Sequence, residues 1–507
     1  MYDGNHLART LRAASVGRES APFSTDPATG QATSLGELWT NAARVASALV
    51  NLGVKPGERV AVQAEKSLEV LELYLGTILA GAIHLPLNTA YTAAEVGYFL
   101  GDASPRVFVC DPSRQEALAE VTGAAKIETV LTLDAEGNGT LKERAKAADP
   151  ISEAVARGRD DLAAFLYTSG TTGRSKGAML THGNLASNAE TLRDLWQFTD
   201  SDVLIHALPL FHTHGLFVAV NITLAAGGAL VFHRAFDAGA IIGDFARATT
   251  LMGVPTFYTR LLQHPDLSQD VASKMRLFVS GSAPMLTETH RAWQSCTGHT
   301  VLERYGMTET GMNTSNPFEG MRKPGTVGVP LADVELRIAT AEGDILPQGQ
   351  IGGIEVRGPN LFKGYWNMPE KTAEEIRPDG WFITGDLGQI DEDGYVTIVG
   401  RSKDLIISGG YNIYPKEIET AIDQVKGVVE SAAFGIDHAD FGESVAVAVV
   451  REPGGSVTED DIMNAISTEL ARFKLPRKIF FLDALPRNTM GKVQKNILRS
   501  DYTSLSG

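Results

Sequence analysis

Cysteine is scarce in this sequence: among 507 residues only Cys110 and Cys296 are cysteines. Two thiols cannot form a disulfide framework or a thiolate zinc cluster. Long apolar runs are also missing, so no segment is a credible membrane span, and the N-terminal stretch lacks the apolar core of a signal peptide. We therefore expect a protein of the reducing cytoplasm that does not enter the membrane.

Basic charge is in short supply as well. The chain has 45 Lys and Arg against 61 Asp and Glu, a net charge of −16, which argues against nucleic-acid binding and against adhesion to anionic membranes. With 43% hydrophobic and 21% charged residues the composition is that of a globular protein. A chain of this length exceeds one compact core, so we expect two or more domains.

A Walker P-loop is absent, although residues 167–177 read YTSGTTGRSKG. Glycines let backbone N–H groups close around an anion, and hydroxyls add donors, so the run favours a phosphate. The Walker motif needs G-x-x-x-x-G-K-[ST], whereas Gly170, Gly173 and Lys176 have a different spacing and no Ser or Thr follows the lysine. The run predicts a phosphate-binding loop outside the P-loop NTPases, with a surface loop as the alternative.

Helix-like and strand-like segments alternate through most of the chain, beginning with a helical pattern at 37–54, a strand at 58–65 and a helical pattern at 69–88. This alternation predicts an α/β fold with doubly wound sheets. From about residue 326 the pattern changes to strands and turns, which indicates a barrel-like β subdomain. After about 402 it becomes a small α+β pattern. We predict an N-terminal domain at 1–402 and a small mobile C-terminal domain at 403–507, with 134–160 as a polar surface excursion.

Six short motifs follow the 167–177 loop in a fixed order: VSGSAP (279–284), RYGMTET (304–310), ITGDLG (383–388), GRSKD (400–404), SGGYNIYPKEIE (408–419) and PRNTMGKVQKN (486–496). Together they resemble the adenylate-forming superfamily of acyl-CoA synthetases, peptide-synthetase adenylation domains and luciferases. The resemblance implies that ATP activates a carboxylate as an acyl-adenylate, with loss of pyrophosphate, and that a thiol such as that of CoA then displaces AMP. It also implies ATP and CoA as co-substrates and Mg²⁺ as cofactor.

The same resemblance implies a nucleotide site. The residues expected over the phosphates are Thr168, Ser169, Gly170, Thr171, Thr172, Gly173 and Lys176. The residues expected around adenine and the α-phosphate are Gly281, Ser282, Ala283, Glu303, Arg304, Tyr305, Gly306, Met307 and Thr308. Tyr305 offers a flat face to adenine, and the small residues before it leave room for the other face. Asp386 would accept from the ribose hydroxyls beside Arg401, and Glu309 would bind Mg²⁺ near Thr171 or Thr308. A helix cap for Glu309 and a turn aspartate for Asp386 are the alternatives.

Lys492 matches the catalytic lysine of the family, and with Glu309 and Thr171 it forms the expected catalytic set. Its cation would bridge the substrate carboxylate and the α-phosphate, and acetylation by a lysine acetyltransferase, reversed by a deacetylase, would silence it. The alternative is a solvated lysine in a basic tail, which is what we expect of Lys495. Asp404 resembles the hinge of the small domain, or a plain ion-pair partner, and Gly409, Gly410 and Tyr411 would line the pantetheine channel.

The acid substrate depends on a feature outside these motifs. The segments PLFHTHGLF (209–217) and LMGVPTFYTRLL (251–262) resemble the malonate-activating branch of the superfamily. The resemblance places Arg260 at the second carboxylate of malonate or methylmalonate, in a buried pocket, with His214 and Ser282 as further donors. A surface arginine is the alternative for Arg260, and either His212 or His214 could face the pocket. A carrier-protein-loading enzyme, a ligase for another short-chain acid and a non-catalytic scaffold remain the competing classes.

Overall fold

The computed structural model describes residues 2–168, 175–408, 411–438, 441–488 and 491–502. By their internal packing they fall into two compact units. Unit 1 comprises Met1–Glu335 and Arg357–Phe382, and unit 2 comprises Leu336–Val356 and Ile383–Gly507.

Unit 1 holds two sheets with helices packed on them. Its described strands are β1 (Pro22–Thr25), β2 (Ala32–Ser34), β3 (Arg59–Gln63), β4 (Ile83–Pro86), β5 (Val107–Cys110), β6 (Thr129–Thr132), β7 (Leu162–Thr168), β8 (Lys176–Thr181), β9 (Val203–His206), β10 (Ala229–Phe232), β11 (Thr250–Gly253), β12 (Leu277–Ser280), β13 (Leu302–Met307), β14 (Gly311–Ser315) and β15 (Val329–Pro330). One sheet has the order β15-β14-β13-β12-β11-β9-β10-β1-β2, and the other has the order β6-β5-β3-β4-β7-β8. The inner strands of both sheets run parallel, and β2, β8, β14 and β15 are antiparallel to their neighbours.

The helices of unit 1 lie between these strands in the chain. They are α1 (His6–Arg12), α2 (Leu35–Asn51), α3 (Leu68–Leu79), α4 (Ala93–Ala103), α5 (Gln115–Ala124), α6 (Thr140–Lys146), α7 (His182–Leu195), α8 (Asn221–Ala226), α9 (Ala238–Gly243), α10 (Pro255–Leu262), α11 (Gln269–Ala272), α12 (Thr287–Thr297) and α13 (Pro369–Glu375). Three of these helices begin with a capping box, at Ser34, Thr92 and Thr181. In each, the cap hydroxyl accepts from the N–H of the third helical residue, and the side chain of that residue accepts from the N–H of the cap. A π-helical segment, His214–Val220, leads directly into α8.

The described residues of unit 2 form two further sheets and three α-helices. Its strands, some of which extend by one residue beyond the unit, are β16 (Glu335–Ala339), β17 (Gly352–Arg357), β18 (Phe382–Ile390), β19 (Val396–Arg401), β20 (Ile406–Ser408), β21 (Tyr411–Ile413), β22 (Val428–His438), β23 (Gly442–Arg451) and β24 (Lys478–Leu482), and its helices are α14 (Pro415–Asp423), α15 (Glu459–Ile466) and α16 (Lys495–Tyr502). The first sheet has the order β16-β17-β18-β19; in the second, β21-β20-β23-β22 are neighbours and β24 pairs with β23. The core under the second sheet is aliphatic, built around residues such as Ile418, Ile422 and Val447.

The predicted α/β fold is confirmed, and one local expectation needs correction. The helical pattern at 69–88 contains both α3 and the buried strand β4, because a continuous apolar run does not reveal where a helix ends and a buried strand begins. The segment 134–160, expected to be a polar surface excursion, lies mostly at the surface and includes the short helix α6, whose Leu141 and Ala145 are buried. The strand-rich region after residue 326 forms the four-stranded sheet β16 to β19. No helix of the described residues is long and apolar enough to cross a bilayer.

Candidate active site

Two parallel strands of unit 1 bring the predicted nucleotide residues to one sheet edge. Ser280 of β12 pairs with Glu303 of β13, so residues 281–283 lie beside 304–308 at the carboxyl ends of these strands. This edge is where open α/β sheets bind ligands. Tyr305 is 8% exposed and pairs with Thr314 of β14, while Gly306, Met307 and Thr308 are only half-buried.

Arg304 is the buried cation of this edge. Its residue is 3% exposed, and its Nε and Nη2 atoms have no hydrogen-bond partner in the described part of the chain. Burial lowers the pKa of the guanidinium from its ordinary 12.5 to about 9. A Cβ atom added at Gly281 would lie 2.3 Å from Arg304 Cζ, so Gly281 is needed to make room for this guanidinium rather than, as the sequence suggested, for adenine alone.

His214 lies next to Arg304 and connects to the loop after β12. Its Nδ1 is 3.3 Å from the Ser282 hydroxyl, and Ser282 has a left-handed φ of 70°, which is uncommon for a residue with a side chain. His214 Nε2 is buried without a partner among the described residues. Burial, together with the charge of Arg304, keeps the pKa of His214 well below 6.5, so the imidazole is neutral near pH 7. The ring of His212 is used differently, because its Nδ1 accepts from the His214 N–H at 3.2 Å. Of the two histidines, His214 is the one whose ring contacts Ser282.

A half-buried lysine, Lys66, supports the turn that carries His214. Lys66 Nζ lies 2.8 Å from His206 Nδ1 and 2.9 Å from the His206 carbonyl oxygen. His206 Nε2 donates to the Gly215 carbonyl at 2.9 Å. Lys66 therefore fixes the His206 ring, and that ring holds the carbonyl of Gly215, the residue after His214.

The structure corrects the expected burial of Arg260. The residue lies in the last turn of α10 and is exposed, and its guanidinium stacks 5.8 Å from the centre of the Phe236 ring. Phe257 and Leu261 of the same helix are buried, so the helix buries its aromatic and aliphatic side and leaves the arginine in solvent. No contact joins Arg260 to His214 or Ser282 in the described residues.

The predicted phosphate loop follows β7 and precedes β8 in the chain. Thr168 ends β7 and Lys176 begins β8. The predicted residues between them, Ser169, Gly170, Thr171, Thr172 and Gly173, lie outside the described residues.

Lys176 and Glu309 are connected through two residues that the motif analysis did not select, Tyr365 and Glu375. Lys176 Nζ lies 2.8 Å from Glu375 Oε1, and the Tyr365 hydroxyl lies within hydrogen-bond distance of both Glu309 and Glu375. Burial opposes the charge of Glu375, but hydrogen bonds from Lys176 and Tyr365 outweigh it and lower the pKa of this carboxyl. Burial, with the Glu309 charge, raises the pKa of Tyr365, so its hydroxyl keeps its proton.

In unit 2, the predicted ribose-binding pair forms a cross-strand contact. Asp386 of β18 pairs with Arg401 of β19, and Arg401 Nε lies 2.7 Å from Asp386 Oδ1. The Arg401 Nη1 also donates to the Thr384 carbonyl at 3.2 Å. The aspartate is 5% exposed. The Arg401 guanidinium, which the Thr384 carbonyl holds in place, therefore orients the Asp386 carboxylate.

The predicted hinge residue ends a short 3₁₀ turn. Asp404 lies at the end of Ser402–Asp404, with its Oδ1 3.6 Å from Arg499 Nη1 of α16. Asp404 therefore does pair with an arginine, as the alternative predicted. Its role as a hinge stays a prediction. Tyr411 is exposed and stacks on Phe473 with ring centres 4.5 Å apart. Gly409 and Gly410 lie outside the described residues.

Lys492 lies on a closed loop. Asn488 Oδ1 accepts from the Lys492 N–H at 2.9 Å, and the Asn488 N–H donates to the Lys492 carbonyl at 2.9 Å. Gly491 has φ +73°, which the turn requires. Part of the Lys492 residue is open to solvent, but its ammonium is close enough to protein atoms that desolvation, and next the nearby Arg401 charge, lowers its pKa to about 8.

The expectation that Lys495 is a solvated tail lysine is wrong. Its side chain is 17% exposed, and its Nζ lies 2.5 Å from Glu419 Oε1. Glu419 is buried, accepts from the Ala433 N–H at 3.0 Å, and keeps a lowered pKa because Lys495 and Lys416 outweigh its burial. Arg487, at the other end of the loop, pairs with Glu430. Both ends of the segment that carries Lys492 are thus tied to the C-terminal sheet and α14.

These features define an adenylate-forming enzyme, and comparison with known proteins gives the same result. The AMP-binding enzyme family matches residues 11–366, and the AMP-binding enzyme C-terminal domain matches residues 417–492. The chain belongs to the AMP-binding enzyme family, which confirms the resemblance seen in the motifs.

Individual relatives cover almost the whole chain. An ATP-bound crystal structure of MatB from Rhodopseudomonas palustris is 55% identical, with a TM-score of 0.97, over 99% of this chain and 100% of that one. A malonate–CoA ligase from Arabidopsis thaliana is 34% identical over 93% of this chain and 85% of its own length. A feruloyl-CoA synthase from an Amycolatopsis species is 36% identical over 93% of this chain and 94% of its own length.

Proposed function

We propose that this protein is an AMP-forming acid–thiol ligase that joins malonate to coenzyme A through malonyl-adenylate, with release of AMP and pyrophosphate. Membership of the AMP-binding enzyme family supports the adenylating chemistry. The likeness to a malonate–CoA ligase supports malonate. The likeness to a feruloyl-CoA synthase shows that sequence identity of this order does not by itself fix the acid.

The observation that carries the choice of acid is the buried, partly unpaired Arg304 beside His214 and Ser282. A buried cation without a carboxylate partner is expensive, and the site retains one in a chain whose net charge is −16. In the first half-reaction the reacting carboxylate becomes the acyl part of a mixed anhydride with AMP and loses its own charge, so a monocarboxylic acid would then offer this cation no carboxylate to pair with. A second carboxylate stays ionised and can pair with it.

We propose the remaining acid contacts from the motif resemblance and from burial: Arg260, which is exposed, would meet the acid from the solvent, and Arg304, which is buried, from the protein interior. Because His214 is neutral, it would contribute a hydrogen bond rather than charge, and Ser282 would hold its ring in place.

We propose nucleotide-binding residues for each unit taken by itself. In unit 1 the loop 167–177 and Lys176 would bind the β- and γ-phosphates, and Tyr305 would stack on adenine. In unit 2 the Asp386 carboxylate, fixed by Arg401, would accept from the ribose hydroxyls. Lys492, protonated at neutral pH, would stabilise charge between the acid and the α-phosphate.

The residues present fit a magnesium ion that takes most of its ligands from phosphate and water. Glu309 is a buried carboxylate with a fixed neighbour in Tyr365, and one hard oxygen ligand beside phosphates is typical of protein-bound Mg²⁺. When bound, Mg²⁺ would neutralise part of the triphosphate charge. No group of three or more His, Cys, Asp or Glu side chains within the described ranges could hold a metal ion without such help.

The second half-reaction would use a different part of unit 2. We keep the proposals that the domain boundary lies at 402/403, that Asp404 is the hinge, and that Tyr411 with Gly409 and Gly410 lines the thiol channel. Acetylation of Lys492 would remove the charge that adenylation needs, and its partly open position leaves it reachable by a modifying enzyme.

A panel of acids tests this function. We expect kcat/KM to be highest for malonate, to be measurable for methylmalonate, and to fall at least a hundredfold for butyrate and ferulate. A preference for butyrate or ferulate would contradict the malonate assignment but not the adenylating chemistry. Loading of a carrier protein in preference to CoA would instead support the carrier-loading alternative.

A further inference from the structure

The segment after β17 covers the edge of β8 and brings Tyr365 against Lys176. The Met179 N–H donates to the Gly364 carbonyl at 3.0 Å, and the Trp366 N–H donates to the Gly177 carbonyl at 2.8 Å. This antiparallel pairing holds the Tyr365 ring with its centre 4.1 Å from Lys176 Nζ. The position of the ring is therefore set by backbone hydrogen bonds and does not depend on side-chain packing alone.

The Tyr365 hydroxyl lies between two carboxylates. It is 3.0 Å from Glu309 Oε1 and 2.6 Å from Glu375 Oε2. Tyr365 is 2% exposed and Glu309 is 5% exposed, so water does not compete freely for these atoms. A phenol has one proton to donate; Glu309 and Glu375 therefore share it, and each limits how far the other can move.

Glu375 occupies an electrostatically poor place unless cations hold it. It is the last residue of α13, where the helix dipole disfavours negative charge. Lys176 lies 2.8 Å and Lys371 lies 3.3 Å from its Oε1. These two cations stabilise the carboxylate, and the carboxylate in turn fixes the flexible Lys176 side chain.

We propose that Tyr365 and Glu375 are positioning residues that hold the magnesium ligand Glu309 and the phosphate-binding Lys176 at a fixed separation. The inference rests on the proposed function for the roles of those two residues. Its physical basis is that hydrogen bonds to a ligating carboxylate fix its orientation, and losing such a partner typically lowers metal affinity by about 10–100-fold. Tyr365 would serve Glu309 in this way, and Glu375 would serve Lys176.

The first test removes only the hydroxyl, in Tyr365→Phe. ATP binding is measured by calorimetry without acid, in EDTA and over a series of MgCl₂ concentrations. We expect the Mg²⁺ concentration for half-maximal enhancement of ATP binding to rise about tenfold, and the ATP affinity in EDTA to change little. Tyr74→Phe is the matched control, because it also deletes a fully buried hydroxyl, 3.2 Å from Asn221 Oδ1. It should lower thermal stability comparably and leave the Mg²⁺ dependence unchanged.

The second test, Glu375→Gln, removes the charge that fixes Lys176. Lys176 then keeps its full charge for the phosphates but loses its fixed position. We expect ATP affinity to hold or to increase, and the adenylation rate to fall about tenfold. A purely structural role would lower affinity and rate together.

The outcomes separate this inference from the proposed function. Wild-type ATP binding that ignores Mg²⁺ would contradict the assigned role of Glu309. Mg²⁺-dependent binding in the wild type with the same dependence in Tyr365→Phe, or an unchanged adenylation rate in Glu375→Gln, would overturn the positioning role.

Discussion

Replacing Arg304 by methionine should make the protein less active and more stable. The pKa of this guanidinium falls from 12.5 to about 9 because it is buried. A base whose pKa is lowered by folding destabilises the fold at every pH below the lowered value, so the full penalty is present at pH 7. At 1.36 kcal/mol for each pKa unit, the penalty is roughly 5 kcal/mol as an upper limit. Methionine has similar length and no charge, and we expect the variant to be at least as stable as the wild type.

The effect of Arg304→Met on activity follows from the same unpaired nitrogens. If these nitrogens hold the second carboxylate of malonate, the substitution removes a charge-assisted pair from a desolvated site. The loss of transition-state stabilisation should be about 2–5 kcal/mol, which lowers kcat/KM by roughly thirty- to several-thousand-fold. Butyrate never uses this contact and should lose little. The preference should therefore move toward the monocarboxylate.

Arg322→Met is the matched control for this substitution. Arg322 is half-buried, and its guanidinium donates to the carbonyls of Thr300, Pro317 and Phe318 at 2.7, 3.1 and 2.8 Å. Its removal should lower the melting temperature and should not select between acids. The assay is kcat/KM for malonate and butyrate, together with the melting temperature, for the three proteins. An equal loss for both acids would place Arg304 at the nucleotide, and a fall in melting temperature like that of Arg322→Met would show that it supports the fold.

The remaining predictions concern other parts of the site. Arg260→Ala should lower kcat/KM for malonate at least tenfold and change that for butyrate little, with partial rescue by lysine; equal losses would remove Arg260 from the acid site. Adenylation should slow as the pH rises above about 8, because the Lys492 ammonium, with its pKa of about 8, loses its proton. Lys492→Ala should lose adenylation and this pH dependence but keep thioester formation from supplied malonyl-adenylate; equal loss of both steps would make the lysine structural. Glu419→Gln should slow adenylation about tenfold by freeing Lys495, whereas Glu417→Gln, which breaks the more exposed pair with Lys474, should not; equal effects of the two variants would contradict a specific anchor.

The α/β fold could be predicted because it depends on local periodicity, and the adenylating chemistry could be predicted because several short motifs resemble those of a known family. Strand and helix periods mark the layers, and motifs such as 304–310 and 486–496 keep their residue types together. Burial of individual charges was less predictable. Arg260 was expected to be buried and is exposed, whereas Lys495 was expected in solvent and pairs with the buried Glu419. Both depend on which side of a helix faces a neighbour in the fold, which single motifs do not reveal.

The network around Tyr365 could not be found from spacing. Lys176, Glu309 and Tyr365 are far apart in the chain and meet only because 362–366 pairs with β8. The one local signal was Tyr365 followed ten residues later by Glu375 at the end of a short helix, which is an unfavourable place for a carboxylate. A charge that opposes the helix dipole is a reason to look for a buried cation partner.

The central claim is that this chain joins malonate to CoA through an adenylate, and product analysis tests it most directly. Purified protein is incubated with malonate, CoA, ATP and MgCl₂, and nucleotides and thioesters are quantified over time. The account predicts malonyl-CoA, AMP and pyrophosphate in equal amounts, and neither AMP nor thioester when malonate is omitted. Formation of ADP and inorganic phosphate with the thioester would contradict the adenylate mechanism.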